Sequence, residues 1–88
     1  MTVHRVYAAR RIVAGVYIQP SNDGERLFVI TSHADGWGWG ALSDAAGHRI
    51  ERLAEHDPDE ALSELRWLGE ENASYRSKSE AVEAALAS

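Results

Sequence analysis

"HADGWGWGAL", residues 33–42, decides how the whole chain is read. Two tryptophans alternate with three glycines, and the spacing predicts a β-strand. At period two, Trp37, Trp39 and Ala41 share one face, and Gly36, Gly38, Gly40 and Leu42 share the other. Two arrangements follow. In one, the indoles face a helical layer and build the core, leaving the glycines as a shallow groove, since glycine in a strand marks close approach by a backbone or ligand. In the other, the glycines admit a tightly packed helix, and the indoles form an exposed stacking platform for a base, a sugar or a protein side chain.

Upstream, "RIVAGVYIQ" (residues 11–19) reads as one strand, with Ile12, Ala14, Val16 and Ile18 alternating onto one face. Val3–Tyr7 continues it or forms a separate short strand, with "AARR" (residues 8–11) as a bulge or helical turn between them. "PSNDG" (residues 20–24) is a turn signal, because Pro fixes φ and Asp-Gly tolerates positive φ. "RLFVITSH" (residues 26–33) is the next strand, joined in an antiparallel hairpin by a loop of about six residues. Downstream, "SDAAG" (residues 43–47) reads as a turn and "HRIERLA" (residues 48–54) as a fourth, weaker strand.

Beyond residue 56 the pattern becomes helical. Asp57 caps, Pro58 suits the first helical position and Glu60 completes a capping box. Ala61, Leu62, Leu65 and Leu68 then fall on one stripe, and Gly69 or Asn72 ends the helix. "SKSE" (residues 77–80) is a second capping box. It opens a helix whose apolar face is Ala81, Val82, Ala85 and Leu86. The expected fold class is α+β. An antiparallel β-meander of three to four strands is followed by two helices packed on one face, in a single domain over residues 1–88.

Charge divides the chain. Residues 1–49 carry five arginines against four acids, whereas residues 50–88 carry four bases against ten acids. An acidic second half repels phosphate, so nucleic-acid contact falls to the first half. The chain has no cysteine, which excludes disulfides and thiolate metal sites. With no secretory signal pattern and no apolar run of about 20 residues, a cytoplasmic protein is expected, with no membrane partner.

The chemistry-bearing residue types do not converge. His4, His33, His48 and His56 lack the spacing that places ligands on one face, so no metal and no cofactor is expected. Ser32, His33 and Asp35 hold the residue types of a hydrolase triad, but a triad converges from separate elements. The expectation is a protein that is not an enzyme. Trp67 is the sharper pointer. At 100° per residue it sits about 160° from the centre of the leucine stripe, among Glu60, Ser63, Glu64, Glu70 and Glu71. Either the C-terminal helix folds over it or it marks a partner or self-association surface, where aromatics are enriched.

Two stretches carry family likenesses. "DGWGWGALSDAAGHRIERLAEHDPDEALSEL" (residues 35–65) resembles the strand–strand–helix unit of HicB-type antitoxins, with "GWGWGALSD" and "DPDEAL" in the matching places. That resemblance implies neutralisation of a small RNase by direct binding. "ENASYRSKSEAVEAAL" (residues 71–86) is similar to the turn and second helix of ribbon-helix-helix antitoxins, through Tyr75, Ser77, Ser79, Glu80, Ala81 and Val82. That likeness implies a strand entering the DNA major groove, for which residues 48–54 are the candidate.

The sequence therefore points first to a small non-catalytic module that binds a protein, such as an inhibitor or antitoxin-like regulator of phage or mobile-element type. Its contact residues are Trp67, Glu60, Glu64, Glu71, Trp37 and Trp39, and a second copy of the chain, forming a homodimer, is one partner this reading allows. The second reading is a dimeric DNA-binding antitoxin or repressor using Arg49, Arg52 and Arg11.

Overall fold

A computed structural model describes residues 5–88. Its frame is a five-stranded antiparallel meander in sequential order: β1 (Arg10–Val13), β2 (Val16–Pro20), β3 (Leu27–His33), β4 (Gly36–Leu42) and β5 (Asn72–Tyr75). Between β4 and β5 come two helices, α1 (Asp44–His56) and α2 (Pro58–Gly69), and α3 (Lys78–Leu86) closes the chain. The α+β class and the antiparallel meander are as expected.

The sheet is covered on both faces. Val16 and Val29 pack with Ile50 of α1 and with Ala61 and Leu65 of α2, and Ile18, Leu42, Leu53, Leu62 and Leu68 complete that core. Phe28 and Ile30 point the other way, into Ala81, Val82 and Ala85 of α3, with Tyr17, Trp37, Trp39 and Tyr75 around them. Central strand β3 is thus buried on both sides, which is why "FVI" is a continuous apolar run rather than an alternating one.

Several expectations are corrected. Among the described residues the helices number three and lie on both faces, where two on one face were expected. "HRIERLA" is no strand: residues 48–54 belong to α1. Ser43 caps that helix by accepting a hydrogen bond from the Ala46 N–H at 3.1 Å. Ala46, Ile50 and Leu53 then recur at helical rather than strand spacing, so "SDAAG" begins a helix where a turn was expected. "RIVAGVYIQ" is not one strand either. A tight turn at Ala14–Gly15 folds β1 back on β2, with Gly15 at φ +79° in a conformation that suits glycine. The side-chain alternation continues across the turn and hides it. Finally, β5 adds a fifth strand, paired with β4 through Trp37↔Tyr75 and Trp39↔Asn72.

The "PSNDG" turn is present as expected. Gly24 adopts φ +75°, and its N–H donates to the Ser21 carbonyl at 2.9 Å. Asp23 accepts from the Ser21 hydroxyl and from the Glu25 N–H. These bonds, led by the one from Ser21 and assisted by the nearby Arg26 charge, hold its carboxyl below the usual carboxylate range. Of the expected Val3–Tyr7 strand, Val3 and His4 lie outside the described residues, and Arg5–Tyr7 is irregular. The register irregularity expected at "AARR" falls instead between Arg11 and Val13.

Candidate interaction site

The two faces of β4 hold two helices by different means, and this determines what α2 presents to solvent. On one face Gly38 and Gly40 expose bare backbone. A Cβ on Gly38 would land on the Gly69 carbonyl oxygen, and one on Gly40 on the Leu68 carbonyl oxygen. Gly69 in turn lies against Thr31, so that its own Cβ would overlap the threonine side chain. Only glycine at these three positions lets the last turn of α2 sit directly on β3 and β4.

The tryptophans take the other face. Trp39 meets Phe28 edge to face, with ring centroids 5.7 Å apart and planes at 89°. Trp37 lies 6.1 Å from Tyr17. Both indoles are half-buried beneath α3. Of the two sequence arrangements, the glycines do receive the helix, but the indoles are covered rather than displayed. Trp37 and Trp39 therefore stand apart from the α2 surface with which they were grouped.

With its inner face committed, α2 turns Trp67 outward. Asp57 starts the helix by accepting from the Glu60 N–H at 3.2 Å, and Pro58 occupies its first turn. Arg66 reaches back to the Ala14 carbonyl oxygen at 3.4 Å, tying the helix to the β1–β2 turn. Trp67 is 68 % exposed, the most exposed of the large hydrophobic side chains described. It borders a depression of about 440 Å³ whose other walls are Leu68, Glu70 and Glu71. α3, expected as one possible cover, lies on the opposite face of the sheet.

The acids around this indole are unequal. Glu64 is engaged by Arg49 of α1 at 2.9 Å. Glu70 lies 3.7 Å from His33 and remains mostly exposed. The Glu71 carboxylate leans over Gly40. Glu60 opens the same helix in an exposed position. The result is an apolar disc on a fixed helix end with negative charge along its margin.

His33 does not address Ser32 or Asp35. Its Nε2 is 2.6 Å from the Thr31 hydroxyl and its Nδ1 faces Glu70. The order hydroxyl–imidazole–carboxylate is that of a nucleophile, base and orienting acid. Here, however, the hydroxyl is fully buried beneath Gly69, so the line braces the α2 terminus against β3. Among the described residues, no group of three or more His, Asp or Glu side chains is placed to hold a metal ion. Nor is any helix long and apolar enough to cross a membrane.

The three arginines of the DNA reading are not brought together. Arg49 and Arg52 ride on α1, and Arg49 is paired with Glu64. Arg11 sits on β1, in register with Tyr17, whose side chain belongs to the α3 face. The ribbon that would carry this reading is helix. Sequence reasoning missed the β1 edge, where Ile12 and Val13 are 39 % and 38 % exposed. The signal for it was the Ala-Gly pair inside an otherwise strand-like run.

Compared with protein-family models, curated proteins and solved structures, the chain matches none.

Proposed function

We propose that this protein is a non-catalytic binding module, an inhibitor or antitoxin-like regulator, that captures another protein on the outer face of α2. One observation carries the reading: an indole 68 % exposed on a helix end that three glycine contacts hold in place. A solvent-facing tryptophan costs solubility, and tryptophan is the side chain most often found at the energetic centre of protein interfaces. A rigid mount reduces the ordering cost of association. The acidic margin of Glu70 and Glu71, with Glu60 further along the same helix, selects a partner surface with an apolar pocket ringed by arginine or lysine. Such complementarity raises association rates and rejects acidic surfaces.

The test compares the wild-type protein with Trp67→Ala as bait in extracts of the native host, followed by titration of each recovered protein against both forms. A partner retained by the wild type should bind Trp67→Ala about 30-fold more weakly, the loss of a hot-spot residue worth about 2 kcal/mol. Partner capture and self-association both unchanged by the substitution would overturn the proposal. Nucleic acid recovered through α1, insensitive to Trp67 and steeply weakened by salt, would favour the DNA reading instead.

A further inference from the structure

The outer edge of β1 is open. Among the described residues nothing pairs with β1 on the side away from β2, so its outward N–H and C=O groups form an open ladder. All four of its residues are exposed. A short, charged edge is a common defence against aggregation. This edge also carries a specific pattern: two arginines followed by two aliphatic residues.

Arg10 is in register with Ile18 and Arg11 with Tyr17, residues that belong to the cores on opposite faces of the sheet. One guanidinium therefore flanks the open ladder on each side. A strand added antiparallel to β1 would set two consecutive residues against Val13 and Ile12 and the next two against Arg11 and Arg10. Cross-strand pairing favours apolar residues at the first two positions and acids at the next two. A second copy of this chain fits poorly, because an antiparallel β1–β1 pair sets Arg10 against Val13 and Arg11 against Ile12 and supplies no acid to either guanidinium.

We propose that β1 receives, by strand addition, an extended segment of a partner protein in which two apolar residues precede two acidic ones. The backbone ladder holds the segment, and the Arg10–Arg11 pair selects its charge.

The probe is a capped octapeptide, TTVIEETT, titrated into the full chain while backbone amide signals are followed by NMR. Saturable shifts confined to Arg10–Val13 and the facing residues of β2, with a Kd below about 1 mM, are expected. The lysine counterpart TTVIKKTT should bind at least about 10-fold more weakly, as should Arg10→Glu/Arg11→Glu toward TTVIEETT, by loss of charge pairing. N-methylation of alternate peptide amides should abolish binding, and Trp67→Ala should leave it unchanged. Three results would each overturn the proposal: no saturable shift at β1, equal binding of the two peptides, or a β1-mediated homodimer that the acidic peptide does not displace. A thermal melt of the double variant, expected to match wild type, assigns any loss to the edge rather than to unfolding.

Discussion

On one face of β4, α2 rests on naked backbone; on the other, two indoles reach up to a helix that answers with alanines. Gly38 and Gly40 bring the α2 carbonyls down onto the strand, and Gly69 brings α2 down onto Thr31. Trp37 and Trp39 fill the opposite space beneath Ala81, Val82 and Ala85. The two solutions respond differently to change. A surface that fits because side chains are missing has no room to give, whereas one filled by large side chains against small ones can lose atoms and partly relax. The stiff face belongs to α2, the helix that carries Trp67.

The largest expected effect comes from breaking the glycine face. Gly40→Ala drives a Cβ into the Leu68 carbonyl, and backbone cannot swing aside as a flexible side chain does. Its cost is expected at or above the upper end of the usual overpacking range, about 3 kcal/mol, read by urea unfolding. Gly69→Ala, which strikes Thr31, should act alike. The tryptophan face should prove more forgiving. Trp39→Ala is expected to cost about 2–3 kcal/mol, less than a fully buried tryptophan, because the ring is only half-buried. If Trp39→Ala proved the more damaging of the two, the contrast between the faces would be wrong.

Smaller effects sharpen the contrast at the surface. Arg49→Ala removes the exposed pair with Glu64 and should cost no more than about 1 kcal/mol, diminishing as salt is added. Asp23 provides a pH signature confined to the β2–β3 turn. Its carboxyl is held below the ordinary value by the Ser21 hydroxyl and the Glu25 amide. The stabilisation is therefore present above pH 4 and is lost as pH falls through the lowered folded-state pKa. Wild type and Asp23→Asn should differ slightly in thermal stability near neutrality and converge in strong acid. Trp67→Ala should change stability least of all, by no more than about 0.5 kcal/mol, as for a surface side chain outside the core.

What could be read from the sequence tracked how local its physical cause was. The "PSNDG" turn, the Asp57–Pro58 helix start and the Ser77 cap each rest on a few adjacent residues, and all three are where they were expected. The outward placement of Trp67 needed only helical geometry. The segment 43–54 failed because Gly47 suggested a turn and the charged residues of "HRIERLA" blurred its period. In the fold, Ser43 and the Ile50–Leu53 contacts settle it as helix. β5 is four mostly polar residues at a sheet edge, whose pairing depends on where α2 delivers the chain, a long-range fact with no local trace. The faces of β4 stayed open for the same reason: nothing in "GWGWG" says that a third helix will cover the indoles. The Ala14–Gly15 turn, like the Ser43 cap, is a local signal hidden by its surroundings, and with it goes the exposed β1 edge.

Fluorescence quenching tests the central claim most directly, because the chain's three tryptophans fall into two environments: Trp67 outside, Trp37 and Trp39 under α3. Titration of the native protein with acrylamide, a neutral quencher that the acidic margin does not repel, should reveal a readily quenched, red-shifted component that disappears in Trp67→Phe and persists in Trp37→Phe and Trp39→Phe. A red-shifted component quenched as readily in Trp67→Phe as in the wild type would contradict the account, placing an indole of β4 fully in solvent and removing the reason to regard α2 as the presenting surface.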